Sequence, residues 1–270
     1  MNTVVFGDWA QGASHSRPGH EKECQDYWRK VDYLSGVKIV AVADGHGSDK
    51  CPYSADGSKY ATKVFTSLMT DYCNSYEDPD EMIAYLRREG EMKIAQEISR
   101  EWKDKILMIH KGLSREEGLS EDEILRMYGT TLIGLLVTEK YVFAYQLGDG
   151  DLTYVDEEEV RPLIEPDKFL GVETHSLSKT DSWKKAVVSC MTTPAPGHGP
   201  YMYMLSTDGL SNSYVNQQEF YRTCRDYFDL IREHGWKAVK ENLKGWLSDT
   251  SRGGCGDDIT AVFVYTGGEE

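Results

Sequence analysis

The chain reads as an α+β protein in which antiparallel sheets carry helices on their outer side. Three observations predict this. Strand-like runs come in groups, stretches of helical spacing separate the groups, and the strict strand-helix alternation of a doubly wound parallel sheet is missing. Neither a proline-rich linker, a low-complexity segment nor a repeat of fixed period divides the 270 residues. A single domain over 1–270 is therefore expected.

Strands are expected, in chain order, in TVVFGDWA (3–10), VKIVAVAD (37–44), TTLIGLLVT (130–138), YVFAYQLG (141–148), LTYV (152–155), KAVVSCM (185–191), YMYMLST (201–207) and ITAVFVY (259–265). Each is apolar or alternating. Apolar residues three and four apart predict helices over 54–73, 78–112 and, less cleanly, 216–248, with Gly112 and Gly118 marking a break. Met202 and Met204 alternate with tyrosines and read as strand core.

Composition narrows the function. A hydrophobic content of 40% and an aromatic content of 11% exclude a disordered chain. The net charge of −15 argues against nucleic acid, whose phosphate backbone needs a basic face. No window approaches the ~18 apolar residues of a membrane span, and the first residues lack a basic region followed by an apolar one. No membrane partner and a cytoplasmic location are expected. The six cysteines form no C-x-x-C pair, which points to reduced structural thiols.

The chemistry lies at strand ends. VAVADG, YQLGDG and MLSTDG each run a strand into Asp-Gly, at Asp44, Asp149 and Asp208, and GDDITAVFVY sets Asp257 and Asp258 just before a strand. In an antiparallel sheet one strand leaves beside the start of its neighbour, so these carboxylates can share an edge. Two carboxylates about 4 Å apart repel by roughly 4 kcal/mol at an effective dielectric of 20. A cluster of them must protonate, separate or bind a cation, and oxygen donors suit Mg²⁺ or Mn²⁺. The glycine after each Asp lets backbone approach closely. A plain hairpin turn is the competing reading of Asp-Gly, strongest at Asp149. An EF-hand is excluded, since the sixth position counted from Asp149 or Asp208 is Tyr154 or Ser213 rather than Gly.

CQDYW (24–28), VAVADGHGS (40–48), YGTTLIGLL (128–136), LGDGDLTYV (147–155), LSTDGLSNS (205–213) and GDDITAVFV (256–264), in this order, resemble the metal-dependent type 2C (PPM) serine/threonine protein phosphatases, in particular a divergent bacterial branch. The resemblance implies a four-layer αββα sandwich: two antiparallel β-sheets flanked by helical pairs. It also implies two Mn²⁺ or Mg²⁺ ions, with a weaker third. Asp44 would bridge the two with the Gly45 carbonyl, Asp208 and Asp257 would complete one shell, Asp26 and Gln25 would act on the second ion through its waters, and Asp149 would serve the third. A hydroxide bridging the ions would attack a phosphoserine or phosphothreonine ester directly. His46, two residues after the bridging Asp, is the expected general acid. The substrate would be a phosphorylated protein, a kinase or kinase target. Residues 161–183 would form a flap.

The chain departs from the pattern where Glu21 stands in place of a phosphate-clamping arginine and Gln25 in place of a carboxylate. His15, Arg17, His20 and Lys22 are the candidate replacements, against a reading of the loop as merely solvated. Thr130 and Thr131 read as β-branched strand residues and Cys51 as a packed thiol. Two rivals stay open. LGDGDLT also matches the Asp-x-Asp-x-Thr of haloacid-dehalogenase-like phosphatases, with Asp149 as covalent nucleophile. A catalytically silent phosphopeptide-binding or regulatory module is the other. Cysteine phosphatase chemistry fails for lack of Cys-x5-Arg, and no P-loop is present.

Overall fold

The structure, a computed structural model, describes residues 2–16, 21–33, 36–115, 117–165, 174–195 and 197–267. The strands are β1 (Asn2–Ala10), β2 (Tyr27–Tyr33), β3 (Val37–Ala43), β4 (Leu132–Val137), β5 (Tyr141–Leu147), β6 (Asp151–Asp156), β7 (Val160–Pro162), β8 (Val187–Thr192), β9 (Tyr201–Ser206) and β10 (Ile259–Gly267). The α-helices are α1 (Ser54–Ser75), α2 (Pro79–Glu89), α3 (Ala95–Gly112), α4 (Glu121–Arg126), α5 (Asp208–Ser211), α6 (Gln217–His234) and α7 (Trp236–Gly253). The chain divides into two compact units, one of residues 27–149 and 167–193, the other of residues 1–26, 150–166 and 194–270.

The first unit holds a five-stranded antiparallel sheet in the order β2-β3-β4-β5-β8. Helix α1 buries Ser54, Gly57, Ser58 and Ala61 in its first turns and Phe65 and Met69 further on. Small residues at helical spacing bring the start of the helix close to its neighbours, and large ones then fill the wider space. Phe65, Trp102 of α3 and Tyr145 of β5 belong to one buried cluster, and the Trp102 indole Nε1 donates to the Gly57 carbonyl at 3.0 Å.

The expected helix over 78–112 is two helices joined by a π-turn at Gly90–Ile94. A Cβ on Gly90 would lie 2.7 Å from Val188 Cγ1, so the chain passes too close to β8 for a side chain there. Strand β2 was not expected from the sequence. Its charges break the apolar alternation because it is a sheet edge, where Asp32 stands in register with Lys38 and accepts from its Nζ at 2.9 Å.

The second unit holds a five-stranded antiparallel sheet in the order β1-β10-β9-β6-β7. Helices α6 and α7 set Phe220, Cys224, Phe228 and Ile231, then Val239, Leu243 and Leu247, against Phe6, Met202, Met204 and Phe263. The methionines are strand core, as the alternation predicted. Tyr203 rings meet Tyr154 and Tyr201 at 5.7 Å between centroids in each case.

Two antiparallel sheets with helices beside each give the α+β class expected from the sequence. Among the described residues no helix is long and apolar enough to cross a membrane.

A Cβ at Gly57 would lie 2.0 Å from the Tyr128 carbonyl oxygen, whereas one at Gly245, in exposed α7, meets nothing within 4 Å. Gly57→Ala should therefore cost at least about 2 kcal/mol in urea denaturation. Gly245→Ala should be neutral or stabilise by about 0.5–1 kcal/mol.

Candidate metal centre

In the first unit β3 delivers the chain to Asp44, and residues 128–131 hold the turn that follows. Thr131 N donates to the Asp44 carbonyl at 2.9 Å, Thr130 Oγ1 donates to the same oxygen at 2.7 Å, and Asp44 N donates to Thr131 Oγ1 at 3.0 Å. Gly45 bridges to Thr130, and His46 N donates to the Gly129 carbonyl at 2.9 Å. The two threonines precede β4 rather than lie in it, a correction to the strand reading, and they act as latches on the aspartate turn. A Cβ on Gly129 would come within 2.6 Å of His46 Cδ2, so the imidazole lies against bare backbone.

Asp149 does not make a hairpin turn, because β5 and β6 are neighbours in neither sheet. Its Oδ2 accepts from Thr174 Oγ1 at 2.7 Å. Of the expected flap, residues 166–173 lie outside the described residues, and the part that follows is tied to the same turn: Thr130 N donates to Ser176 Oγ at 3.1 Å and Leu177 N to the Thr130 carbonyl at 2.9 Å.

The second unit gathers four aspartates at one sheet edge. Asp208 opens α5 directly after β9, and Asp257 and Asp258 precede β10, which pairs with β9. The two turns touch, since a Cβ on Gly209 would lie 2.0 Å from the Asp258 carbonyl oxygen. Asn212 Nδ2 donates to Asp208 Oδ2 at 2.8 Å. Thr207 Oγ1 donates to Asp26 Oδ2 at 2.7 Å and accepts from Thr260 N at 2.9 Å. Gln25 N donates to Asp258 Oδ2 at 2.7 Å. The pairing of β9 with β10 brings Asp208 beside the Asp257–Asp258 turn, as the antiparallel argument expected for these three residues.

Burial separates these acids. Asp257 is exposed, while Asp26 is 6% exposed and its Oδ1 is a buried oxygen with no hydrogen-bond partner among the described residues. Burial and the neighbouring Asp258 carboxylate hold the Asp26 carboxyl well above the usual range, against the pull of the Thr207 and Thr260 hydroxyls. Burial, then Asp26 and Asp258, also push the Cys24 thiol far up.

The loop before Asp26 is not a merely solvated segment. Gly12 N and His15 Nδ1 both meet Asp258 Oδ1, at 2.6 and 3.0 Å, and Ser14 N and Oγ both donate to the Gly256 carbonyl, at 2.9 and 2.7 Å. Of the other clamp candidates, Lys22 N donates to the His15 carbonyl at 3.0 Å, and Arg17 and His20 lie outside the described residues.

Among the described residues no group of three or more His, Cys, Asp or Glu side chains is close enough to hold an ion. The donors expected from the sequence fall in different units: Asp44, Gly45 and Asp149 in one, Asp26, Asp208 and Asp257 in the other. All are oxygens, and an unpartnered buried carboxylate oxygen is what a hard cation or its water would satisfy, so the residues present fit Mg²⁺ or Mn²⁺.

The chain thus carries two antiparallel sheets, with Asp-Gly turns after β3, β5 and β9 and a Gly-Asp-Asp turn before β10. The sequence pattern of protein phosphatase 2C matches residues 11–248, and the chain belongs to that family of serine/threonine phosphatases. A comparison with curated proteins finds no match. Among solved structures, a bacterial serine phosphatase is similar with a TM-score of 0.64 at 16% identity, over 100% of this chain and 99% of that one. Serine/threonine phosphatase Stp1 from Staphylococcus aureus gives 0.59 at 15% identity, over 98% and 95%. The catalytic domain of PstP, solved with two manganese ions, gives 0.57 at 14% identity, over 98% of each chain. At these identities the likeness shows the fold.

The raised Asp26 carboxyl carries a stability signature. Its folded pKa lies above the unfolded value, so the folded state binds the extra proton and metal-free stability falls as pH rises from about 4 through the folded pKa. Asp26→Asn removes that loss. In EDTA the variant should melt above the parent at pH 7 and show a smaller advantage at pH 5. A variant less stable than the parent at both pH values contradicts this.

Proposed function

We propose that the chain hydrolyses phosphoserine and phosphothreonine esters on proteins, kinases or kinase targets among them, as one phosphatase domain over 1–270 with a flap at 161–183. The family match runs across both compact units, which supports the single-domain reading. The observation that carries the metal reading is the acid edge of Asp26, Asp208 and Asp257, with its unpartnered buried oxygen.

Asp44 and the Gly45 carbonyl, with Asp208 and Asp257, would hold Mn²⁺ or Mg²⁺. Asp26 and Gln25 would act on a second ion through water, and Asp149 on a weaker third. Bound ions of this kind neutralise phosphate oxygens and lower the pKa of the attacking water. The chain's own part is orientation. The latches of Thr130 and Thr131 fix the backbone of Asp44, so its carboxylate starts from a rigid turn. His46, tethered through its backbone to Gly129, protonates the departing seryl or threonyl oxygen.

The covalent rival loses support from the fold. A haloacid-dehalogenase-like enzyme needs alternating strands and helices after its Asp-x-Asp-x-Thr motif, whereas Asp149 is followed by β6 and β7 in an antiparallel sheet. A silent binding module gives no reason to keep a buried carboxylate oxygen unpartnered.

Turnover of p-nitrophenyl phosphate should require Mn²⁺ or Mg²⁺, stop in EDTA and fall at least about 10²-fold in Asp44→Asn. Absence of turnover with any divalent metal favours the module. A single turnover in ¹⁸O-water should leave label in phosphate, and label accumulating in Asp149 over successive turnovers would restore the covalent rival. His46→Ala should lower kcat on a phosphoserine peptide by about 10²-fold. It should cost far less on p-nitrophenyl phosphate, whose leaving group departs without a proton. Equal losses on both substrates contradict the acid role.

A further inference from the structure

We propose that His15 is a positioning residue for the metal centre: its imidazole, anchored on Asp258, sets the orientation of Asp257. The proposal rests on the reading of Asp257 as a metal ligand.

The ring is held from one side. Asp258 Oδ1 receives Gly12 N at 2.6 Å and His15 Nδ1 at 3.0 Å, while Oδ2 receives Gln25 N at 2.7 Å. A carboxylate serving backbone donors on both oxygens is an acceptor toward the ring as well, so Nδ1 carries a hydrogen and donates it. That bond fixes the plane of an imidazole whose side chain is 13% exposed. The other nitrogen, Nε2, then stands 4.0 Å from Asp257 Oδ1. This is too long for a direct hydrogen bond and within the span of one bridging water.

Asp257 Oδ1 also accepts from Asp258 N at 2.9 Å. A backbone amide and an imidazole therefore face the same oxygen, which restrains the rotamer of an otherwise exposed carboxylate. The backbone joins the two groups as well. Ser14 N and Oγ hold the Gly256 carbonyl, Ala13 N donates to Ser251 Oγ at 3.0 Å, and Ser251 Oγ donates to the Asp257 carbonyl at 2.7 Å. The turn that carries His15 and the turn that carries Asp257 move as one piece.

This placement also removes His15 from the list of phosphate clamps. A phosphate approaching Nε2 meets the Asp257 carboxylate, and Nδ1 is already committed to Asp258. What the ring can do is hold a ligand from behind, a role whose loss in other metal sites costs about 10- to 100-fold in metal affinity.

Asparagine places a donor near the position of Nδ1 and nothing near Nε2, and glutamine does the reverse. The two variants separate the bond that holds the ring from the contact that orients Asp257. Isothermal titration of the metal-free protein with MnCl₂, with thermal midpoints in EDTA, reads both. His15→Asn should keep the parent's midpoint and bind Mn²⁺ at least about tenfold more weakly. His15→Gln should bind Mn²⁺ more tightly than His15→Asn, whatever its midpoint. Parental Mn²⁺ affinity in His15→Asn overturns the proposal, and so does equal loss in both variants. Asp257→Asn serves as the control for the underlying reading. If it leaves Mn²⁺ binding unchanged, Asp257 is not a ligand and the role of His15 falls with it. If it weakens binding while His15→Asn does not, the ligand reading stands and the His15 proposal alone fails.

Discussion

Two carboxylates buried side by side at the end of a sheet set the terms for the unit that contains them. Asp26 and Asp258 are 6% and 4% exposed, and the Asp258 carboxylate raises the cost of charging Asp26. Asp258 is reconciled with burial by donors from three stretches of chain: Gly12 N, His15 Nδ1 and Gln25 N. Those bonds pin the loop after β1, the approach to Asp26 and the start of β10 to one point. Asp26 is relieved in part, by the hydrogen bond from Thr207 and by the nearby Thr260 hydroxyl. A fold selected for stability alone has no reason to keep such a pair, which supports the proposed metal reading.

The other unit solves a different problem with neutral groups. The turn at Asp44 leaves a strand into irregular backbone, where amides and carbonyls need new partners. Thr130 and Thr131 supply them through both backbone and hydroxyl, and Gly129 leaves room for the His46 ring. Rigid backbone under the proposed ligand and proton donor is the preorganisation that phosphate ester hydrolysis demands, since little of the barrier is lowered by loosely held groups.

Strand ends were legible in the sequence because the alternating or apolar runs stop abruptly on Asp-Gly. That pattern located Asp44, Asp149 and Asp208, and the antiparallel argument brought Asp208 beside Asp257. Three features were harder to read. Strand β2 carries Arg29, Lys30 and Asp32, the charges of an edge, and so hides its period. Helix α4 announces itself only through Ser120 and Glu123, whose side chains cap each other's backbone amides, in a segment too short for periodicity. The π-turn at Gly90 depends on the approach of Val188, a contact remote in sequence. The role of the Gly12–His15 turn was out of reach for the same reason. Its partners, Ser251, Gly256 and Asp258, lie at the far end of the chain, and no local pattern announces the pairing.

The proposed metal chemistry rests on Asp44, Asp208 and Asp257 serving one pair of dications. A crystal of the protein grown with MnCl₂ and measured at the manganese absorption edge tests this directly. Two anomalous peaks bounded by Asp44, the Gly45 carbonyl, Asp208 and Asp257, with Asp26 reaching the second through water, are the predicted result. Manganese bound elsewhere, or these carboxylates ordered with no anomalous peak among them, contradicts it.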